Sequence, residues 1–256
     1  MQDQKDIQRA RGIYLLPNFF TTAGLFAGFY AIVAAMNGHY HGAAVAIFVA
    51  MLMDSLDGRV ARLTNTQSAF GAEYDSLADM VSFGIAPALV TFSWSMHNLG
   101  KLGWLAAFLF AAAGALRLAR FNTQVTKADK RYFQGLSITA SAGVVAGLVW
   151  AAHQSGIEGA NIALLVAITL ITLAGLMVSN IRYHSFKQVD LKGKVPFVAL
   201  LILVLIFVLI ALDPPHILFI IFAGYALSGP FFTLWNLKRA RRLRNETLLA
   251  KKTKQE

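Results

Sequence analysis

Apolar and polar residues follow one another along this chain in long blocks, not at the short alternation of a soluble fold. Residues 1–13 are polar and basic, with Lys5, Arg9 and Arg11. Apolar runs then recur at 17–36, 42–63, 71–96, 102–121, 135–152, 161–180, 196–212 and 215–235, separated by short polar connections. Most are near the roughly 20 residues that carry a helix across a bilayer. The pattern predicts an all-α, polytopic integral membrane helical bundle of about eight transmembrane helices. Pro17 and Asn18 open the first span, proline being suited to the first turn of a helix. That run is long enough to span and lacks a convincing cleavage site, so no cleavable signal peptide is expected.

Composition agrees with this reading. Of 256 residues, 57% are hydrophobic and only 14% charged, with a mean hydropathy of +0.56, which excludes an ordinary soluble domain. The net charge of +10 bears on topology and lipid contact, not on nucleic acid. Counted from the N-terminus, alternate connections carry Arg59 and Arg62, then Arg117, Arg120, Lys127, Lys130 and Arg131, then Arg182, Lys187, Lys192 and Lys194, then the tail from Lys238 to Lys254. On the opposite side Lys101 is the only Lys or Arg. By the positive-inside rule both termini face the cytoplasm, which makes the basic N-terminal segment cytoplasmic and points to a multi-pass protein of the cell inner membrane. The basic tail is a solvated topology determinant that touches anionic headgroups. His39, His41, His97, His153 and His216 fall in or beside the outward connections and read as interfacial polarity. Without cysteine there are no disulfides or thiolate metal sites.

One stretch breaks the apolar pattern. Asp54 and Asp57 lie in the last turns of the second run, and Asp75 and Asp79 in the first turns of the third. All four thus share one side of the bilayer. An Asp at the centre of a span costs roughly 2.5–3.5 kcal/mol, so four at that depth would cost roughly 10–14 kcal/mol unless something compensates. Spacings of i,i+3 and i,i+4 place each pair on one helix face. Two such faces turned together form a pocket of carboxylate oxygens, which suits hard divalent cations that also take substrate phosphates as ligands. Gly58, Ala61 and Gly71 leave room for a substrate beside the backbone. Arg62 brings a planar fork of donors suited to a diphosphate. The plainer alternative, in which Asp57, Arg59 and Arg62 only cap a helix at the interface, accounts for one or two charges but not for four aligned aspartates. Asn18 is either an interfacial polar residue or a group that reaches this pocket.

The pattern D-x2-D-G-x2-A-R-x8-G-x3-D-x3-D, complete from Asp54 to Asp79, resembles the signature of the CDP-alcohol phosphotransferases, integral membrane enzymes that move a phosphatidyl or similar group from a CDP-linked donor to an alcohol. The resemblance implies that Asp54, Asp57, Asp75 and Asp79 bind Mg²⁺ or Mn²⁺, as two ions, with Asp79 taking first the role of general base. It implies that Gly58, Ala61, Arg62 and Gly71, with Asn18 as a further candidate, contact CDP, and that the protein is a homodimer. Outside the motif, residues 79–88, Leu116–Asn122, Phe133–Leu136, Leu176–Ser179 and Arg182-Tyr183 resemble the membrane-embedded phosphatidylserine synthase branch of bacteria and archaea. That branch implies CDP-diacylglycerol as donor, L-serine as acceptor and CMP as the released product. One departure is Gly135-Leu136-Ser137, where such enzymes often have Gly-Leu-Pro.

A serine acceptor brings a carboxylate and an ammonium. Arg117 and Arg120, at i,i+3, and Arg182 are candidates to meet the carboxylate, or are positive-inside anchors. Ser82 and Gly84 either shape the acceptor pocket or permit close helix packing. The expected organisation is a catalytic core over 1–187, an additional C-terminal pair of spans over 188–236 and a basic cytoplasmic tail over 237–256. Rival readings are transfer to glycerol 3-phosphate, inositol phosphate or choline, a cation transporter with the aspartates as ion path, and an inactive scaffold.

Overall fold

The basic segment and the first apolar run form a single helix, α1 (Gln2–Met36). Pro17 therefore lies inside a helix rather than at its first turn, correcting the start read from the sequence. The reason lies upstream: residues 2–12 are rich in Gln, Lys, Arg and Ala, good helix formers that let the helix run on past the proline. The computed structural model describes residues 2–124, 132–184 and 197–252.

After a turn at Asn37–His39, where Gly38 takes a left-handed conformation (φ 76°), α2 (Tyr40–Leu63) runs back along α1. The two helices share a buried seam of alanines, Ala27, Ala31, Ala34 and Ala35 with Ala43, Ala44, Ala46 and Ala50. Small side chains let helices approach closely where surrounding lipid offers no hydrophobic drive.

The third span begins at α3 (Ala69–Asp79), whose N-cap Ser68 accepts the Gly71 N–H at 3.0 Å. It continues through a π-helical turn (Met80–Ile85), α4 (Ala86–Thr91), a second π-turn (Phe92–Met96) and a 3₁₀ turn (His97–Leu99). Pro87 has no N–H for the carbonyl four residues back, and its ring would clash there in a regular α-helix. Widening to the π register, in which the Ala86 N–H reaches the Val81 carbonyl, passes the chain through this point directly after Asp79.

Next come α5 (Lys101–Gln124), a short strand β1 (Tyr132–Gln134), α6 (Ile138–Gln154), α7 (Ala163–Val178), strand β2 (Arg182–His184), α8 (Phe197–Leu212) and α9 (Pro214–Lys252). Strands β1 and β2 pair antiparallel, with Phe133 opposite Tyr183. Helix α6 is central: Ser141 through Gly147 are all buried, and Phe219 and Phe222 of α9 sit over its Gly147 and Gly143. Helix α8 packs on α9 and leaves almost its whole surface exposed.

Among the described residues, five helical stretches are long and apolar enough to cross a membrane: Leu16–Met36, Ala69–Leu99, Lys101–Thr123, Gly159–Val178 and Pro214–Thr233. Helices α6 and α8, of 17 and 16 residues, are shorter than these. The protein is an all-α, polytopic membrane bundle. At the end away from the aspartates, polar groups pair with one another. The Ser155 Oγ lies 3.0 Å from His216 Nε2, and His216 Nδ1 lies 2.8 Å from Asp213 Oδ2, tying α6 to the α8–α9 turn. The amides of Ser155, Gly156 and Ile157 are bonded to helix carbonyls, and the trio acts as a tie between loops.

Candidate active site

The turn between α2 and α3 reverses the chain and brings the two aspartate pairs together. Carboxylate oxygens of Asp54, Asp57 and Asp75 all lie within 4.8 Å of one another. With Asp79, Thr21, Ser82 and neighbouring apolar residues they line one cavity of about 10 Å³, roughly the space of a single water-sized sphere. Asp57 is 5% exposed, and its Oδ2 accepts the Thr21 hydroxyl at 2.7 Å. A donor set made only of oxygens, with three carboxylates converging on one point, fits a hard divalent cation. Asp79 lines the cavity without belonging to that converging trio.

Helix α1 contributes more than the sequence suggested. Thr21, in no motif, holds Asp57, and the Thr22 hydroxyl lies 2.9 Å from the Tyr74 hydroxyl, fastening α1 to α3. Asn18 stands beside Gly71, where an added Cβ would lie 3.6 Å from its Oδ1. No neighbour lies within 4 Å of the place a Cβ on Gly58 would take, so the helix surface one residue past Asp57 is open. Ala61 is half-buried one turn on, and Arg62 is exposed in the last turn of α2.

The candidates outside the motif separate into two groups. Ser82 is buried, lines the aspartate cavity and gives its hydroxyl to the Gly24 carbonyl at 3.1 Å. Gly84 packs against Met80 and Ile138, with Gly114 of α5 close by. The second group gathers at the end of α5. Arg117 is buried, donates from Nε to the Leu136 carbonyl at 3.1 Å, and stands over the Phe121 ring with its charge acting on Asp79. Arg120 reaches the Val178 carbonyl, the Gln134 Oε1 at 2.5 Å and the Asn180 Oδ1 at 2.6 Å. One guanidinium thus ties α5 to β1 and to the chain leaving α7. Asn122 extends the tie to α3 by donating to Ser76 Oγ at 3.0 Å. Arg182 sits in β2, and its side chain lies outside the described residues.

Gln134, Asn180 and Thr21 are the residues that sequence reasoning missed. Gln134 sits within a stretch already singled out and Asn180 directly after one, but nothing in either stretch says that they share Arg120. Gly135 fixes the shape of that stretch: its φ is +78°, and a Cβ would lie 2.3 Å from the Met177 carbonyl oxygen, so no other residue fits there. Ser137, standing where proline was expected, caps α6 by accepting the Ala140 N–H at 3.1 Å. Tyr183 is buried next to Tyr225 and donates to the Ala226 carbonyl at 3.0 Å. Burial, then the neighbouring Tyr225, pushes its phenol up to about 12, so it remains a proton donor at any physiological pH.

Fold and site together define a polytopic membrane protein with an all-oxygen acidic cluster that could hold a cation, shared by two consecutive helices and touched by Thr21 of a third. The profile of the CDP-alcohol phosphatidyltransferases matches residues 14–172, and the chain belongs to that family. It is 41% identical to a Helicobacter pylori CDP-diacylglycerol–serine O-phosphatidyltransferase over 196 residues, 77% of this chain and 83% of the relative. Proteins of the same name from Mycobacterium tuberculosis and Bacillus subtilis are each 32% identical, covering 88% and 68% of this chain and 80% and 92% of the relatives.

Proposed function

We propose that this protein transfers the phosphatidyl group of CDP-diacylglycerol to the hydroxyl of L-serine and releases CMP. The observation that carries the reading is the meeting of all four motif aspartates at one cavity, in a chain whose relatives are named for this reaction. Asp54, Asp57 and Asp75, with Asp79 on the same wall, would hold Mg²⁺ or Mn²⁺, as two ions, and the bound metal would neutralise the diphosphate and make CMP a better leaving group. Gly58, Ala61 and Gly71 let the nucleotide approach the backbone, with Arg62 and Asn18 supplying donors and acceptors at its edge.

Asp79 takes the proton from the serine hydroxyl as that oxygen attacks the phosphorus bearing diacylglycerol. The new P–O bond forms, the bond to the CMP oxygen breaks, and the leaving phosphate carries the electron pair. Arg117, within electrostatic reach of Asp79, meets the serine carboxylate, with Arg120 and Arg182 as further candidates for that role. Ser82 and Gly84 keep the third span tight against its neighbours behind it. The distribution of Lys and Arg supports placing the aspartates and both termini on the cytoplasmic side of the cell inner membrane. The homodimer and a catalytic core spanning 1–187 rest on the family resemblance.

The test is CMP release by purified protein given CDP-diacylglycerol and Mg²⁺ or Mn²⁺, with L-serine compared against glycerol 3-phosphate, inositol phosphate and choline. Serine-dependent release is expected. Release with another alcohol alone would move the acceptor, and metal flux without any release would favour a transporter.

A further inference from the structure

Helix α9 carries a notch where its own hydrogen bonding is interrupted. Pro230 lies inside the helix and has no N–H to give the Ala226 carbonyl four residues back. That carbonyl is not left bare: the Tyr183 hydroxyl of β2 donates to it at 3.0 Å. Gly229, the residue before the proline, makes the room, since a Cβ there would lie 2.3 Å from Tyr183 Cζ. The Tyr225 ring packs beside it, its centre 5.6 Å from that of Tyr183. Ala226, Gly229 and Tyr183 are all buried. In lipid a carbonyl freed by proline must find another donor, and here the donor comes from a strand. Tyr183 and α9 both lie beyond residue 172, where the family match ends.

The same strand leads to the two arginines at the end of α5. Tyr183 stands opposite Phe133 in the β1–β2 ladder, which continues where the Gly135 N–H donates to the Ile181 carbonyl at 2.8 Å. The Leu136 N–H then donates to the Leu176 carbonyl at 3.0 Å, and the Leu136 carbonyl accepts from Arg117 Nε at 3.1 Å. Gln134 of β1 and Asn180, just before β2, hold Arg120. Two strands of three residues are too short to keep a fixed shape alone, so whatever holds them sets where Arg117 and Arg120 stand.

We propose that Tyr183 is a positioning residue for the acceptor: seated in the notch formed by Ala226, Gly229 and Pro230, it makes α9 the backing of the wall on which Arg117 meets the acceptor carboxylate. This rests on the phosphatidyl-transfer reading above. The aspartate side has supports of its own, Thr21 on Asp57 and Thr22 beside Tyr74, neither of which passes through β1, β2 or α9. Freeing Tyr183 therefore weakens acceptor binding and spares donor and metal binding.

The test separates this role from the mere filling of a helix carbonyl. Tyr183→Phe raises KM for L-serine about tenfold, the scale of one lost hydrogen bond, while KM for CDP-diacylglycerol and the metal concentration for half-maximal activity stay within about twofold. Adding Pro230→Ala gives the Ala226 carbonyl a helical N–H, so the double variant Tyr183→Phe/Pro230→Ala recovers the Tm lost in the single one yet keeps the raised serine KM. Gly229→Ala, which forces the ring out of the notch, gives the same split between acceptor and donor. An unchanged serine KM, a donor KM that rises with it, or a serine KM that returns with Tm in the double variant overturns the assignment. Hydrogen exchange gives a second readout that needs no turnover: amides of residues 132–136 exchange about tenfold faster in Tyr183→Phe and in the double variant. Unchanged exchange there also overturns it. Faster exchange in protein without serine-dependent CMP release instead removes serine as the acceptor and leaves Tyr183 as the support of the arginine wall.

Discussion

The two ends of this bundle both hold clustered polar residues but treat them in opposite ways. At one end Ser155, His216 and Asp213 satisfy one another, Tyr40 donates to the Ser93 carbonyl, and Ser95 donates to the Gly159 carbonyl at 2.7 Å. Each group has a complementary partner, and the result is a set of ties between loops. At the other end four carboxylates line one small cavity, three of them with oxygens within 4.8 Å of one another. Their mutual repulsion opposes folding, and a bound cation would relieve it. Clusters of complementary polar groups serve structure, whereas a cluster of like charges marks a candidate place for a ligand of opposite charge.

That contrast can be tested from its strongest consequence downward. Asp79→Asn should lower kcat by about 10²–10⁴-fold, the range for losing a general base, while CDP-diacylglycerol still binds in equilibrium measurements. In metal-free protein the same variant should raise Tm by a few degrees by relieving repulsion, the reverse of the usual outcome for a buried substitution. Near-wild-type turnover would remove Asp79 as base. Thr21→Val deletes the hydroxyl that holds Asp57; the metal concentration for half-maximal activity should rise by about ten- to a hundredfold, matching a lost hydrogen bond to a charged group. An unchanged metal titration would place Thr21 among packing residues.

Arg62→Ala should raise KM for CDP-diacylglycerol by about tenfold with kcat little altered, as expected for losing a contact equally strong in ground and transition states. A fall in kcat alone would argue for a role in the transfer step. The smallest effect belongs to the opposite end: His216→Ala should cost about 1 kcal/mol of stability in thermal melts and leave kcat/KM as it was. If it slowed transfer as much as the aspartate variants, the division between the two ends would fail.

Much of the fold was legible because the bilayer imposes a length rule that the chain reads out directly. The eight apolar runs mark the helices, most ends shifting by a few residues, as where Ser137 starts α6 later than its run begins, while α1 and α9 extend well past their runs into the basic terminal segments. The site was legible in its charges, since aspartates in an apolar context stand out wherever they occur. The β1–β2 ladder was not, because strands of three residues carry too little pattern to announce themselves.

The sequence alone determined that this is a polytopic helical membrane protein of the CDP-alcohol phosphatidyltransferase type, and it singled out Asp54, Asp57, Asp75 and Asp79 as the candidate chemical centre. Both follow from local rules: the hydrocarbon thickness sets helix length, and the i,i+3 and i,i+4 spacings set which aspartates share a face. Only the tertiary structure decided that Thr21 holds Asp57, that Arg120 gathers Gln134 and Asn180, and that Tyr183 donates to the Ala226 carbonyl. These contacts join residues 14 to 60 positions apart, and such partners are chosen by how whole helices pack, which no local pattern encodes.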